Sequence, residues 1–329
     1  MFFVITGRKF GTGIPKTLCP ENMVRKRSER DHIHSLKKGY YHLSTDGWGE
    51  GFLFHNSEQY AYGMTVTGLL TLLFEITIYD FTLMPNHVHI LLSGTGSSCL
   101  AAFDYLKQKV SSRLSKDGYP PLPDDYWFKL RSVDNPEQMK NNFIYLDRNA
   151  YELQQFIPSG YPWGSGYLHY SAVNDMISGT PASAFSKRKL EEMTGSRIPI
   201  PNHWQFHPKY GLLPSSFVDN SLFLRLFKGP KEYESRLVKD YEAFVKVSRS
   251  LNETLNFTAF EVKEIVDQLL QNFYSGRQLR QLSNEEKGRL VTLLSKEYDL
   301  PADVISSATD LSEHMVLQLL RAKDFGKQR

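Results

Sequence analysis

The stretch that most constrains this chain runs from Phe74 to Gly94, FEITIYDFTLMPNHVHILLSG. Residues Phe74 to Met84 are apolar, β-branched or aromatic almost throughout, which is the pattern of a strand buried on both faces, and Pro85-Asn86 is a turn signal. A second strand begins at once. Along His87-Val88-His89-Ile90-Leu91-Leu92 the side chains alternate, so His87 and His89 share one face while Val88, Ile90 and Leu92 pack on the other. Two residues along a strand span about 6.5 to 7 Å, a separation from which two imidazoles can converge on one metal ion. A histidine on a strand can equally be a hydrogen-bonded core or surface residue, and spacing alone does not separate the two.

The surrounding elements follow from period and punctuation. Residues 1–38 show little periodicity and carry the basic run Arg25-Lys26-Arg27-Ser28-Glu29-Arg30, either an arm for phosphates or a solvated charge run. Tyr40 to Ser44 suits a short strand, and a loop with Gly47, Gly49 and Gly51 leads to a helix from about Ser57, its expected N-cap, to Leu73. A helix from about Ser98 to Ser115 turns Leu106, Val110 and Leu114 to the core and leaves Lys107, Lys109 and Arg113 exposed. After Tyr119-Pro120-Pro121-Leu122-Pro123, Tyr126 to Val133 reads as a further strand. The resulting βαββαβ order is that of ferredoxin-like folds, with helices on one face of an antiparallel sheet and the other face available.

Asn135 as N-cap and Pro136 at the first position open another helix, which runs to about Phe156 and is stopped by Pro158-Ser159-Gly160. Tyr145 and Asn149, four apart, share a face of it. A phenol is a poor nucleophile at its ordinary pKa near 10, but it can attack a phosphodiester polarised by a metal ion. The amide oxygen of Asn149 is a hard ligand suited to Mg²⁺ or Mn²⁺ beside two imidazoles. The chain has 18 tyrosines, so Tyr79, Tyr105 and Tyr151 compete for the nucleophile's role, with Tyr151 the first alternative.

Three segments together carry a family resemblance. Met84-Pro85-Asn86-His87-Val88-His89-Ile90-Leu91-Leu92 resembles the signature of the single-tyrosine HUH transposases, the family that contains the REP-associated tyrosine transposases. Tyr145-Leu146-Asp147-Arg148-Asn149 is similar to the family's tyrosine helix, and Tyr161-Pro162-Trp163-Gly164-Ser165 to its usual Tyr-Pro-Trp-Ser-Ser segment. Ala150 stands where the family usually has proline and Gly164 where serine is common; neither change removes a reactive group. The resemblance spans Gly39 to Tyr170. It implies an HUH domain in which His87, His89 and Asn149 hold Mg²⁺ or Mn²⁺ and Tyr145 is the nucleophile. The implied activity is cleavage and rejoining of single-stranded DNA near a hairpin through a 5′-phosphotyrosine, with Lys107, Arg113 and the Arg25, Lys26, Arg27 arm as candidate DNA contacts. Two other readings share parts of the pattern: a transposase-derived DNA-binding regulator without cleavage, and an HUH replication or conjugation initiator. No P-loop GxxxxGK[ST] accompanies the chain.

Composition bounds the rest. With 329 residues, 41% hydrophobic and 23% charged, the chain has room for two domains of ordinary soluble character. A net charge of +3 does not by itself announce nucleic-acid binding. Two cysteines, Cys19 and Cys99, form no CxxC and fit a reducing compartment. No apolar run is long enough to span a bilayer, and the start MFFVITGRKFG is too short in apolar residues for a signal peptide. The expectation is a cytoplasmic, nucleoid-associated protein, with a homodimer as one assembly open to it. The α+β reading divides the chain into a basic extension (1–38), the HUH domain (39–170), an irregular linker (171–229) and an all-α region (230–329). The linker's His203-Trp204-Gln205-Phe206-His207 is either a second metal pair or an ordinary loop. In the last region Ser283-Asn284-Glu285-Glu286 is a capping box, and helices starting at Pro301 and Ser312 complete either a helix-turn-helix or a plain bundle.

Overall fold

The computed structural model describes residues 20–45, 51–153, 156–170, 177–253, 257–309 and 311–324. The tight turn at Pro85-Asn86 joins β2 (Thr77–Leu83) to β3 (Val88–Gly94), and β1 (Gly39–Thr45) and β4 (Phe128–Ser132) complete a four-stranded antiparallel sheet in the order β2-β3-β1-β4. The register places His89 beside Thr82 and Ser44, and Leu91 beside Asp80 and His42. Because cross-strand partners project to the same side, the sheet has an apolar face of Leu43, Phe81, Leu83, Val88, Ile90 and Leu92. Its other face carries His42, Ser44, Asp80, Thr82 and His89.

The apolar face is covered by α2 (Ser57–Leu73) and α3 (Gly96–Lys116) in one continuous core that includes Met64, Leu70, Phe103, Leu106, Val110 and Leu114. The cap of α2 is Asn56, whose side chain accepts from the Gln59 N–H, one residue before the expected Ser57. Within the basic extension, α1 (Pro20–Ser35) was not legible because its apolar residues form no stripe; it docks on α3 through Ile33. Contact there is so close that a Cβ on Gly96 would lie 1.7 Å from the Ile33 carbonyl oxygen, so only glycine fits.

The polar face is not left open. Asn135 accepts the Gln138 N–H and Pro136 occupies the first turn of α4 (Pro136–Arg148), which lies over β2 and β3. The helix ends eight residues before the expected Phe156. Asn149 Nδ2 donates to the Tyr145 carbonyl at 2.8 Å, taking the acceptor that its own N–H would need to continue an α-helix, and Asn149–Leu153 follow as a 3-10 turn.

The region expected to be irregular contains a small antiparallel sheet, β5 (Thr180–Pro181), β6 (Gln205–His207) and β7 (Gly211–Leu212), and two helices, α5 (Lys187–Thr194) and α6 (Ser221–Leu226). Six helices follow: α7 (Pro230–Lys239), α8 (Tyr241–Leu251), α9 (Ala259–Phe273), α10 (Asn284–Glu297), α11 (Ala302–Thr309) and α12 (Glu313–Asp324). The Ser283–Glu286 capping box opens α10 as expected. These helices share a core with α4, in which Phe143, Ile144 and Leu146 pack with Phe223, Phe227, Phe244 and Ile265. Arg148 crosses the seam: its guanidinium pairs with Glu261 at 2.8 Å and lies over the Phe244 and Phe257 rings. Among the described residues, no helix is long and apolar enough to cross a membrane.

Candidate active site

The polar sheet face and α4 bring four expected residues together. His87 and His89 rings lie 4.8 Å apart, centroid to centroid, at 86°, and the Tyr145 ring stands perpendicular to His89 at 5.6 Å. The Asn149 side chain neighbours the His87 ring, whose Nδ1 lies 2.8 Å from Asn86 Oδ1. Since Nδ2 of Asn149 is spent on the Tyr145 carbonyl, the amide turns its oxygen toward the histidines. Tyr79 instead meets Ser93 at the far end of β3, and Tyr105 packs on Phe74.

Three further residues complete the site, and the chain as a sequence did not reveal them. His42 on β1 shares the polar face; its Nδ1 lies 2.6 Å from Asn142 Oδ1 and its Nε2 3.0 Å from His89 Nδ1. Asn142 Nδ2 donates to the Gln138 carbonyl, so its oxygen must be the atom that faces His42. That fixes a relay of tautomers. His42 donates from Nδ1 and accepts at Nε2, His89 donates from Nδ1, and the lone pair of His89 falls on Nε2. That nitrogen is fully buried and has no hydrogen-bond partner. Glu253 is the third residue. Asn252 adopts a left-handed conformation (φ 55) at the end of α8 and turns the chain inward, so that the Tyr145 hydroxyl donates to Glu253 Oε2 at 2.6 Å. The same oxygen is 3.9 Å from His89 Nε2. Lys129 and Arg131 of β4 hold the end of α8 by donating to the carbonyls of Asn252 and Ser250.

The unpartnered lone-pair nitrogen of His89, with the His87 ring 4.8 Å away and a carboxylate 3.9 Å away, is a donor arrangement that a divalent cation fits. Burial pushes the His42 and His87 imidazoles down to about 4 and His89 well below its ordinary value, so all three are neutral, the form that ligates metal. Burial, followed by the Glu253 charge, raises the Tyr145 phenol well above its ordinary pKa. The group that accepts the phenol's hydrogen bond is the Glu253 carboxylate.

The expected DNA contacts are elsewhere. Lys107 and Arg113 lie on α3, across the sheet from the histidines. Lys107 donates to the carbonyls of Asp124 and Tyr126, and Arg113 pairs with Asp117 and covers the Tyr62 ring. These contacts hold both side chains against α3's own surroundings. The side chains of Arg25, Lys26 and Arg27 lie outside the described residues. His207 ends β6 rather than lying in a loop; it stacks on Tyr210 and accepts the Lys209 N–H through Nδ1.

Asn142 was in principle findable, because it lies three residues before Tyr145 and seven before Asn149, on the same helical face. Glu253 had no local signal.

No family model matches the chain, and no curated protein matches it. Among solved structures the chain is similar to a REP-associated tyrosine transposase bound to a REP hairpin, at 12% identity and a TM-score of 0.34, over 52% of this chain and 95% of that one. The similarity is a distant one.

Proposed function

We propose that this chain is a metal-dependent enzyme of the single-tyrosine HUH type that cleaves and rejoins single-stranded DNA beside a hairpin. The observation that carries the reading is the meeting of Tyr145 and Asn149 with His87 and His89, from segments separated by all of α3 and β4. The order of β1 to β4 around α2 and α3, and the sheet order β2-β3-β1-β4, support a ferredoxin-like frame for that site.

His87, His89 through Nε2, and Asn149 through its amide oxygen would hold Mg²⁺ or Mn²⁺. When bound, the ion supplies Lewis-acid polarisation of the scissile phosphate. Tyr145 Oη attacks phosphorus while Glu253 takes the phenolic proton. The bond from phosphorus to the 3′ oxygen breaks, that oxygen takes a proton from water to become a 3′-OH while Glu253 returns its own to solvent, and the 5′-phosphate remains esterified to Tyr145. Rejoining is the reverse, so no nucleotide is consumed. His42 and Asn142 touch no reacting atom and act as positioning residues for His89.

Substrate binding is supported by a cleft of about 410 Å³ beside Pro85, lined in part by His55, Tyr60, Phe156, Tyr161, Trp163 and Tyr210. Aromatic walls of this kind suit unpaired bases, which stack with little regard to sequence. The α10 to α12 helices are the candidate reader of the flanking duplex. The test is incubation of the full chain with single-stranded DNA from the flanks of its encoding locus and Mg²⁺ or Mn²⁺. A covalent protein–DNA adduct should form, and Tyr145→Phe should abolish it while hairpin binding survives. An adduct that persists in Tyr145→Phe and vanishes in Tyr151→Phe would overturn the assignment.

A further inference from the structure

A second convergence of side chains lies against α4. Asp147 is two residues from both Tyr145 and Asn149, so it projects from another side of the helix. There it meets Asp80 of β2 and His169, which follows the 3-10 turn Gly166–Leu168. All three are buried, at 3%, 0% and 1% exposure.

Each residue is held by one atom and bare at another. Asp80 Oδ1 accepts the Phe81 N–H at 2.8 Å and the Ser165 hydroxyl at 2.6 Å, while Oδ2 has no hydrogen-bond partner. Asp147 Oδ2 accepts the Tyr233 hydroxyl at 2.7 Å, while Oδ1 has none. Asn220 Nδ2 donates to the Leu168 carbonyl, so its oxygen faces His169 Nδ1 at 2.9 Å and fixes the proton there. The lone pair is therefore on His169 Nε2, which has no hydrogen-bond partner and lies 3.7 Å from Asp80 Oδ1 and 3.9 Å from Asp147 Oδ2. The histidine pair shows the same device, an asparagine amide locked on a backbone carbonyl that sets which imidazole nitrogen is bare. Space in front of Asp147 is kept by Gly166, where a Cβ would come within 2.3 Å of Oδ1.

One ligand atom from each residue lies within 4.8 Å of the other two. Two carboxylates removed from water at this separation repel, and their ionised forms require a positive charge between them. An ion about 2.1 Å from each donor needs donors about 3.4 Å apart, so binding asks for a contraction of at most about 1.4 Å, within the reach of side-chain rotation. We propose that Asp80, Asp147 and His169 form a second, structural metal site that takes Zn²⁺ or Mn²⁺ and pins α4 to β2 and the Gly166–His169 turn. The one-nitrogen, two-carboxylate set suits those ions.

The test uses the full chain carrying His87→Ala and His89→Ala, which removes the histidine pair of the candidate active site and leaves the Asp80, Asp147 and His169 group intact. After unfolding in EDTA, refolding with Zn²⁺ or Mn²⁺ and exhaustive dialysis, this variant should retain about one ion per chain. Its Tm should lie several degrees above that of the same variant refolded without metal. Adding Asp147→Asn and His169→Gln should abolish both the retained ion and the Tm increment. A histidine-pair variant that keeps no metal and whose Tm ignores the ion in refolding would overturn the proposal, leaving the two carboxyls sharing protons. If the further substitutions prevent folding, metal content and Tm of the histidine-pair variant decide alone. DNA cleavage is not read, so the outcome stands apart from the role of His87 and His89.

Discussion

Replacing Glu253 by glutamine separates two uses of the carboxylate that touches Tyr145. The amide keeps the size and a hydrogen-bond acceptor for the phenol, but loses the basicity and the charge. In stability, the 2.6 Å bond changes from charge-assisted to neutral, a loss of about 1 to 1.5 kcal/mol. At about 2.1 cal/mol/K of unfolding entropy per residue, the 329-residue chain has about 0.7 kcal/mol/K, so Tm should fall by about 2 °C. In rate, a positioned general base contributes about 10²- to 10⁴-fold. The Glu253 side chain is 17% exposed, so water can partly replace it. The expected loss is therefore at the lower end, about 10²-fold or about 2.7 kcal/mol. The assay is single-turnover adduct formation at saturating DNA and cation, followed on denaturing gels, with saturation needed because Glu253 also lies near His89. The variant's rate should rise with pH as hydroxide takes over the proton, since the Tyr145 phenol titrates well above its ordinary range. Adduct formation as fast as in the unaltered chain, or faster, would refute the reasoning and make Glu253 a restraint on Tyr145.

Other residues give equally direct checks. Asn142→Leu removes the oxygen that sets the His42 tautomer and through it that of His89, so cation affinity by calorimetry should fall about 10- to 100-fold with hairpin binding unchanged. The cation-free protein should lose stability toward acid. His42 has a folded-state pKa of about 4 against an ordinary 6.5, so its contribution is complete above pH 6.5 and is lost as pH falls to about 4, on the order of 3 kcal/mol by urea unfolding. Arg148→Met strands Glu261 in the seam between α4 and α9 and should cost about 3 to 5 kcal/mol, part of which a second change, Glu261→Gln, restores.

What the sequence disclosed is what short-range chemistry decides. The β2–β3 turn, the His87–His89 alternation, the Asn135 cap and the Tyr145–Asn149 spacing are all set within a few residues and were legible. The end of α4 was misjudged because a single side-chain bond, Asn149 to the Tyr145 carbonyl, outweighs a favourable helical run. The small sheet between residues 180 and 212 was missed because its strands are two or three residues long and rest on the packing of Trp204, Phe206 and Leu212 rather than on any period. The expectation of an open sheet face failed for a related reason. Apolar stripes on α8 and α9 announce that they bury something, but not that the partner is α4, and so neither the covering of the polar face nor Glu253 was visible.

Glu253 also sets a schedule. It lies 108 residues after the tyrosine whose proton it accepts, beyond the whole sheet and α4. At about 5 to 20 residues per second of synthesis, its codon is translated roughly 5 to 20 seconds after that of Tyr145. Throughout that interval a ribosome-bound chain can have its histidines, asparagine and tyrosine made yet lack the group that readies the phenol. On the function proposed above, a nascent chain should form the adduct with nearby DNA about 10²-fold more slowly until α8 has been made and folded back over the sheet.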